Sequence, residues 1–167
     1  MTEVAGAELD ELCFAARALA QSHAMTESAH RYRQACLERE RMRQPVSELA
    51  DWAGTALLVG YCLRRSEEAR TLDTELGAPA AQDHQIDLDD VEALTESLRV
   101  GDPGSVALLP AEAALTALDR IIATEVDKRR EHLREQLDDA SWLELEDYIA
   151  WWVIHGYALR ASERPKR

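Results

Sequence analysis

The chain has 167 residues, enough for one domain with its own core and no need of metals or disulfides to hold it. Its 46% hydrophobic and 31% charged residues are those of a soluble globular protein, neither disordered nor membrane-spanning. The net charge of −13 argues against general nucleic-acid binding, which needs clustered Lys and Arg, and one Phe with seven Gly in an Ala- and Leu-rich chain favours helices over strands.

The first predicted element covers residues 7–44, which hold neither Gly nor Pro. Leu12, Ala15, Ala16 and Leu19 form one stripe at helical spacing; Ala29, Tyr32, Ala35, Cys36 and Met42 form a thinner one. A break near Ser22 to Thr26 would divide this stretch into two helices, and without it the helix is continuous. Pro45 ends it, because proline lacks the amide donor and clashes with the preceding turn. A second helix follows over about 46–70. Gly77 and Pro79 open a loop. The D-x-x-E pattern of Asp89 and Glu92 caps a short helix reaching about Val100, which Gly101-Asp102-Pro103-Gly104 terminates. Pro110 suits the first turn of the next helix, predicted to about Leu137. After a turn at Asp138-Asp139, Ser141 and Glu144 form a capping box for a last helix reaching about Ser162.

Shifted by 96 residues, the chain matches itself. Residues 46–68 and 142–164 agree without gaps at nine positions: Glu48/Glu144, Leu49/Leu145, Asp51/Asp147, Gly60/Gly156, Tyr61/Tyr157, Leu63/Leu159, Arg64/Arg160, Ser66/Ser162 and Glu67/Glu163. Background composition would supply roughly one or two. The offset continues upstream through Leu12/Leu108, Ala15/Ala111, Leu19/Leu115 and Arg33/Arg129. The expected fold is all-α in a single domain. Two tandem antiparallel helical hairpins, about 9–70 and 106–165, are joined by a crossover at 71–105 that carries a short helix. The helices 46–70 and 142–162 are apolar around most of their circumference, so each is expected at the centre with the polar-striped helices flanking.

Within the repeated core, Gly60, Arg64 and Glu67 share a helix face, as do Gly156, Arg160 and Glu163. Two readings are open. In one, a pseudo-twofold packing pairs Arg64 with Glu163 and Arg160 with Glu67. In the other, the arginines favour their helix C-termini through the dipole and the glutamates are solvated. Tyr61 and Tyr157 read as core residues with a wet hydroxyl. Trp142, Trp151 and Trp152 are large anchors of the kind that interfaces favour, although core packing also accounts for them.

Catalytic and cofactor motifs are sparse. No phosphate loop, dinucleotide fingerprint, H-E-x-x-H or G-x-S-x-G occurs, and no cofactor is implied. His155, which replaces Val59 of the first copy, reads as a satisfied core or interface histidine. One carboxylate group is placed to converge: Glu131 and Glu135, one turn apart before the last hairpin turn, stand level with Glu144 and Asp147 beyond it. In this E-x-x-x-E and E-x-x-D arrangement the chain resembles the all-α nucleotide pyrophosphohydrolases of the MazG and dimeric dUTPase type over about 17 residues. That family holds Mg²⁺ with E-x-x-E followed by E-x-x-D and hydrolyses nucleoside triphosphates. The upstream spacing here departs from the family's, and the first copy has Ala35 and Arg39 at the equivalent places. Helix capping also explains Glu144 and Asp147.

The N-terminus is acidic where a secretory signal is basic and apolar. The longest apolar stretch, Ala56 to Leu63, is interrupted by Gly60 and falls far short of the roughly 20 residues a bilayer needs. Cys13, Cys36 and Cys62 lack disulfide or zinc spacing. A cytoplasmic location follows as the expectation, and the excess of Arg over Lys is that of a GC-rich bacterial coding sequence. The charge is uneven: Arg70 to Ser105 holds nine acids and two bases, whereas each hairpin is nearly balanced. These features favour a non-catalytic helical interaction module, an adaptor, accessory subunit or immunity-like binder that acts on a protein partner or as a homodimer. Its acidic crossover would face a basic surface. The alternatives are the Mg²⁺-dependent hydrolase and a bundle holding a small apolar ligand between its central helices.

Overall fold

The structure is a computed structural model that describes residues 6–44, 47–72, 84–102, 111–133 and 138–165. The described chain is helical throughout apart from one two-residue ladder. Its elements are α1 (Gly6–Gln21), α2 (Glu27–Arg43), α3 (Ser47–Leu72), β1 (His84–Gln85), α4 (Leu88–Arg99), α5 (Ala111–Leu133), α6 (Asp139–Ser162) and β2 (Arg164–Pro165). The ladder is antiparallel, with His84 opposite Pro165 and Gln85 opposite Arg164. The predicted loop at Gly77 and Pro79 and the end of the fifth helix at 134–137 lie outside the described residues.

The break between α1 and α2 is real, and His23 within it has φ of 51°. Thr26 caps α2, its hydroxyl accepting from the Ala29 N–H at 3.1 Å. The Arg65 guanidinium of α3 donates to the Ala24 carbonyl at 2.7 Å, so the central helix holds the kink from below. Two predicted caps move by a few residues. Asp87, not Asp89, caps α4, because its carboxylate reaches the amides of both Asp89 and Asp90. Asp138, not Ser141, caps α6: it accepts from the Ser141 N–H at 2.8 Å, which makes Ser141 a first-turn residue. In both cases an acid stands two or three residues before the expected cap, and at α6 the carboxylate is a stronger acceptor for an orphan amide than the Ser141 hydroxyl. At the other end of α4, Gly101 takes φ of 85° while the Asp102 amide bonds back to Ser97 O, a left-handed stop.

The two helices that are apolar all round, α3 and α6, form the central pair. α1, α2 and α5 pack on α3; α4 and α5 pack on α6. Leu57, Leu63, Ile149 and Leu159 are fully buried on the central pair, with Leu118 and Ile121 of α5 alongside. Such side chains contribute about 1.5–3 kcal/mol each on burial. The crossover helix α4 is not a loose strap. Val91, Thr95 and Leu98 are buried, and this face lies on α6.

Where α3 and α6 meet, each presents a glycine to the other's backbone. A Cβ built on Gly60 would fall on the Val153 carbonyl oxygen, and one on Gly156 would fall on the Leu57 carbonyl oxygen. Advancing along α3 from Leu57 to Glu68 advances the partners on α6 from Val153 to Arg160, so the two helices run in the same direction. Gly60→Ala and Gly156→Ala should each lower stability by about 3 kcal/mol or more, since the obstacle is backbone and cannot rotate away. Gly6→Ala, with nothing within 4 Å, should be neutral. Thermal and urea unfolding of the three variants checks this, and a G60A protein as stable as wild type would contradict the close approach.

Candidate functional site

Beyond the glycines, the polar residues of the repeated core converge in a buried seam. Arg64 donates to Glu67 Oε1 at 3.0 Å on its own helix and to the Tyr157 hydroxyl at 3.1 Å across the seam. The Tyr157 hydroxyl lies 2.7 Å and 2.9 Å from the two Glu67 oxygens and donates to that carboxylate. The other half follows the same plan. Arg160 donates to Glu163 Oε2 at 2.9 Å and to the Tyr61 hydroxyl at 3.4 Å. Both arginines also lie over the tyrosine ring they bond, at 5.3 and 5.7 Å from the centroid.

The sequence readings of these charges are therefore corrected, save that Arg160 does stand in the last turn of its helix. Each arginine pairs with the glutamate of its own helix, and the crossing is made by the tyrosines and by an Arg160–Glu68 pair instead of an Arg64–Glu163 or Arg160–Glu67 pair. Nor are the glutamates solvated: Glu67 is 0% exposed and Glu163 8%. The tyrosine hydroxyls are not wet either. The physical reason is that a carboxylate within this apolar core must be charge-paired and hydrogen-bonded where it stands, and an i, i+3 arginine plus a facing phenol supplies both. Burial, then the adjacent Glu67 charge, pushes the Tyr157 phenol well above its ordinary range; burial and Glu163 push Tyr61 up to about 12. Neither hydroxyl is disposed to ionise near neutral pH.

The two halves differ where the outer helices meet them. On the Glu163 side, Thr26 donates its hydroxyl to Glu163 Oε1 at 3.0 Å, and its N–H donates to Tyr61 Oη at 3.3 Å. Arg160 Nε reaches Glu68 at 2.7 Å. The α1–α2 kink is thus fastened to both central helices. Sequence reasoning missed Thr26 and Glu68, because neither is repeated at the offset: their counterparts are Ile122 and Arg164.

The second constellation lies where α2, α4 and α6 meet. His155 is 2% exposed and hydrogen-bonded at both ring nitrogens. Its Nε2 lies 2.6 Å from the Tyr32 hydroxyl, and Nδ1 lies 3.0 Å from Thr95 Oγ1. The Thr95 hydroxyl gives its only proton to the Val91 carbonyl at 2.6 Å, so it accepts from Nδ1–H, and Nε2 accepts from Tyr32. The hydroxyl thereby places a proton on Nδ1, and burial keeps the ring neutral. Trp151 stacks on it at 4.4 Å and 15° between planes, and Trp152 meets it edge-on at 5.7 Å. Beside this stack opens a cleft of about 380 Å³, walled by Tyr32, Tyr148 and Trp151, with Arg39, Arg43, Glu92 and the 55% exposed Leu88 also lining it.

Trp142 takes no part in this cleft's lining. Its indole N–H donates to Glu146 at 2.6 Å, and Arg130 lies over its ring. Of the carboxylates set for a metal, Glu131, Glu144 and Asp147 are exposed, and Glu135 lies outside the described residues. Among the described residues no group of three or more His, Cys, Asp or Glu is placed to hold a metal ion. No described helix is long and apolar enough to cross a membrane. Cys13, Cys36 and Cys62 are free and buried, and burial pushes the Cys62 thiol up to about 12. Set against protein-family models, curated proteins and solved structures, the chain matches none.

Two outcomes follow from these geometries. Tyr157→Phe removes a donor from a fully buried carboxylate and should cost about 1–3 kcal/mol in urea unfolding. Burial first, and the Arg39 charge second, lower the His155 pKa to about 4. An unfolded histidine takes its proton near 6.5, so stability is fully present above that pH and is lost as pH falls towards 4. About 2 kcal/mol should disappear on this account between pH 6.5 and 4.5. His155→Gln should lack that part of the pH dependence, and an H155Q curve as steep as wild type would contradict it.

Proposed function

We propose that this chain is a non-catalytic α-helical interaction module whose binding surface is the cleft between α2, α4 and α6. The observation that supports it is the composition of that cleft. Partly exposed Trp151, Tyr148 and Tyr32 stand beside Arg39 and Arg43, and tryptophan, tyrosine and arginine are the residue types on which interfaces concentrate their binding energy. His155, Thr95 and Trp152 stiffen the floor from beneath, so the aromatic anchors are already ordered before a partner arrives. The groups with chemical potential elsewhere, the seam tyrosines and glutamates, are buried and paired with one another, which suits a scaffold.

The same reading takes the chain as a tandem duplication of one helical hairpin. The Gly60/Gly156 reciprocity and the matching Arg64–Tyr157 and Arg160–Tyr61 contacts support it, since each contact has a counterpart 96 residues away with the helices exchanged. It also takes the protein as cytoplasmic and bacterial, in keeping with three unpaired buried cysteines and the arginine bias. The partner is a protein, either a second copy or another chain, and not nucleic acid. The alternative hydrolase and ligand-bundle readings draw no comparable support. The glycine contacts bring α3 and α6 together backbone to backbone, where a ligand between the central helices would need space.

Affinity capture from the source organism and sedimentation of the pure protein test the proposal together. Arg43→Glu and Trp151→Ala should each weaken the retained complex, or the self-association, roughly tenfold or more while the helical circular dichroism persists. Leu143→Ser, exposed and remote from the cleft lining, should leave binding intact. A monomer that retains no partner, or a complex indifferent to both cleft variants, would overturn it.

A further inference from the structure

A second groove lies on a different face of α2, against α1, α3 and α5, and its charge runs counter to that of the whole chain. It has a volume of about 620 Å³ and is lined by Arg17, His23, Arg33 and Lys128 with no carboxylate among its lining residues, in a protein of net charge −13. Lys128 is paired with Glu125 at 3.1 Å. Arg17 and Arg33 are not so paired. Both are half-buried, and among the described residues neither makes a salt bridge, Asp51 acting on Arg33 only from beyond salt-bridge distance. Arg33 donates to the Gly54 carbonyl at 2.8 Å, which orients the guanidinium without neutralising it. Burial first, then the nearby Arg41 charge, pulls the Arg33 pKa below the usual guanidinium value, and Asp51 offsets this only in part.

The apolar part of the groove is equally marked. Phe14, the only phenylalanine in the chain, is 69% exposed at its edge, while Leu58 and Val59 of α3 lie buried beneath. An exposed aromatic beside two guanidiniums without a salt bridge is an unusual surface for a solvated helix face, and it combines the two features that select a mixed ligand. Charge complementarity calls for carboxylates, and the phenyl ring calls for an apolar side chain.

We propose that this groove receives an acidic segment of a partner protein bearing one bulky apolar residue, with its carboxylates facing Arg17 and Arg33 and its apolar side chain against Phe14. The inference rests on the reading of the chain as an interaction module and adds a second, chemically distinct contact face to it. The excess negative charge of the rest of the molecule repels acidic chains at long range, but it is screened beyond about 8 Å at physiological salt. Selection is then left to the groove itself.

The test is a selection of short random peptides displayed against the full chain, followed by fluorescence anisotropy on an enriched peptide. The enriched sequences should combine several Asp or Glu with a Leu, Ile or Phe. Arg17→Glu should weaken the peptide roughly tenfold or more, and Phe14→Ser about threefold, with Leu143→Ser unchanged. Among the described residues Arg17 and Phe14 make no hydrogen bond or salt bridge, and retained helical circular dichroism in both variants keeps the comparison sound. The proposal fails if no peptide is enriched, if the enriched peptides are neutral or basic, or if affinity is unchanged in R17E. It also fails if inorganic phosphate displaces the peptide at low millimolar concentration, which would make the groove a simple anion site. Loss of partner binding in the α2–α4–α6 cleft variants with peptide binding intact would separate failure of the cleft reading from failure of this one.

Discussion

Everything in this molecule is arranged around one close approach. Gly60 and Gly156 let α3 and α6 touch backbone to backbone, and a side chain at either place would meet a carbonyl oxygen of the other helix. Two helices so near share a narrow seam, and the residues one turn further along must fit it. Tyr61 and Tyr157 lie flat enough to be covered by Arg160 and Arg64, and the arginines in turn neutralise Glu163 and Glu67. Widening the seam would leave those carboxylates in an apolar core with weakened partners, which is the costly way to break a buried ion pair. The glycines and the charges are therefore one device.

The outer elements are fastened to that device at different points, and this is what makes the two halves unequal. Thr26 couples the α1–α2 kink to Tyr61 and Glu163. The other half has no kink: α5 is continuous through Ile121 and Ile122. Its flank is instead supplied by α4, whose Thr95 closes a hydrogen-bond chain running from Tyr32 through His155 to Val91. The acidic crossover thus serves the core directly. The cleft with its aromatic walls arises at this join, between an outer helix of the first half, the crossover helix and the central helix of the second.

Charge is distributed by the same logic. Carboxylates that are buried, such as Glu40, Glu67, Glu125 and Glu163, each have a basic side chain three or four residues away or across the seam. Exposed acids make up the net charge. Against this pattern Arg17 and Arg33 stand out, because a half-buried cation without a salt bridge is a cost unless something else answers it. They were invisible in the sequence. Arginine is abundant here, and nothing in one dimension tells a paired guanidinium from an unpaired one.

While the break near Ser22 to Thr26 stayed open until the structure placed it, the amino-acid sequence by itself determined the helical class, the chain order of the helices and which two helices occupy the centre. Those follow from local propensity and from the angular spread of apolar residues, both of which are read within one helix. The offset of 96 also marked Gly60, Tyr61, Arg64 and Glu67 with their counterparts as a group. What tertiary structure alone decided was the wiring: arginine to the glutamate of its own helix, tyrosine across the seam, Thr26 and Glu68 joining from outside the repeat, and His155 held neutral between Tyr32 and Thr95. Each of these bonds joins groups 35 or more residues apart in sequence, apart from the i, i+3 pairs, or depends on which of several nearby acceptors is buried. Hydrophobic periodicity specifies which face is inside. It is silent on which polar partner waits there, because hydrogen bonds are set by angstrom-scale distances between elements, and those distances exist only once the helices have packed.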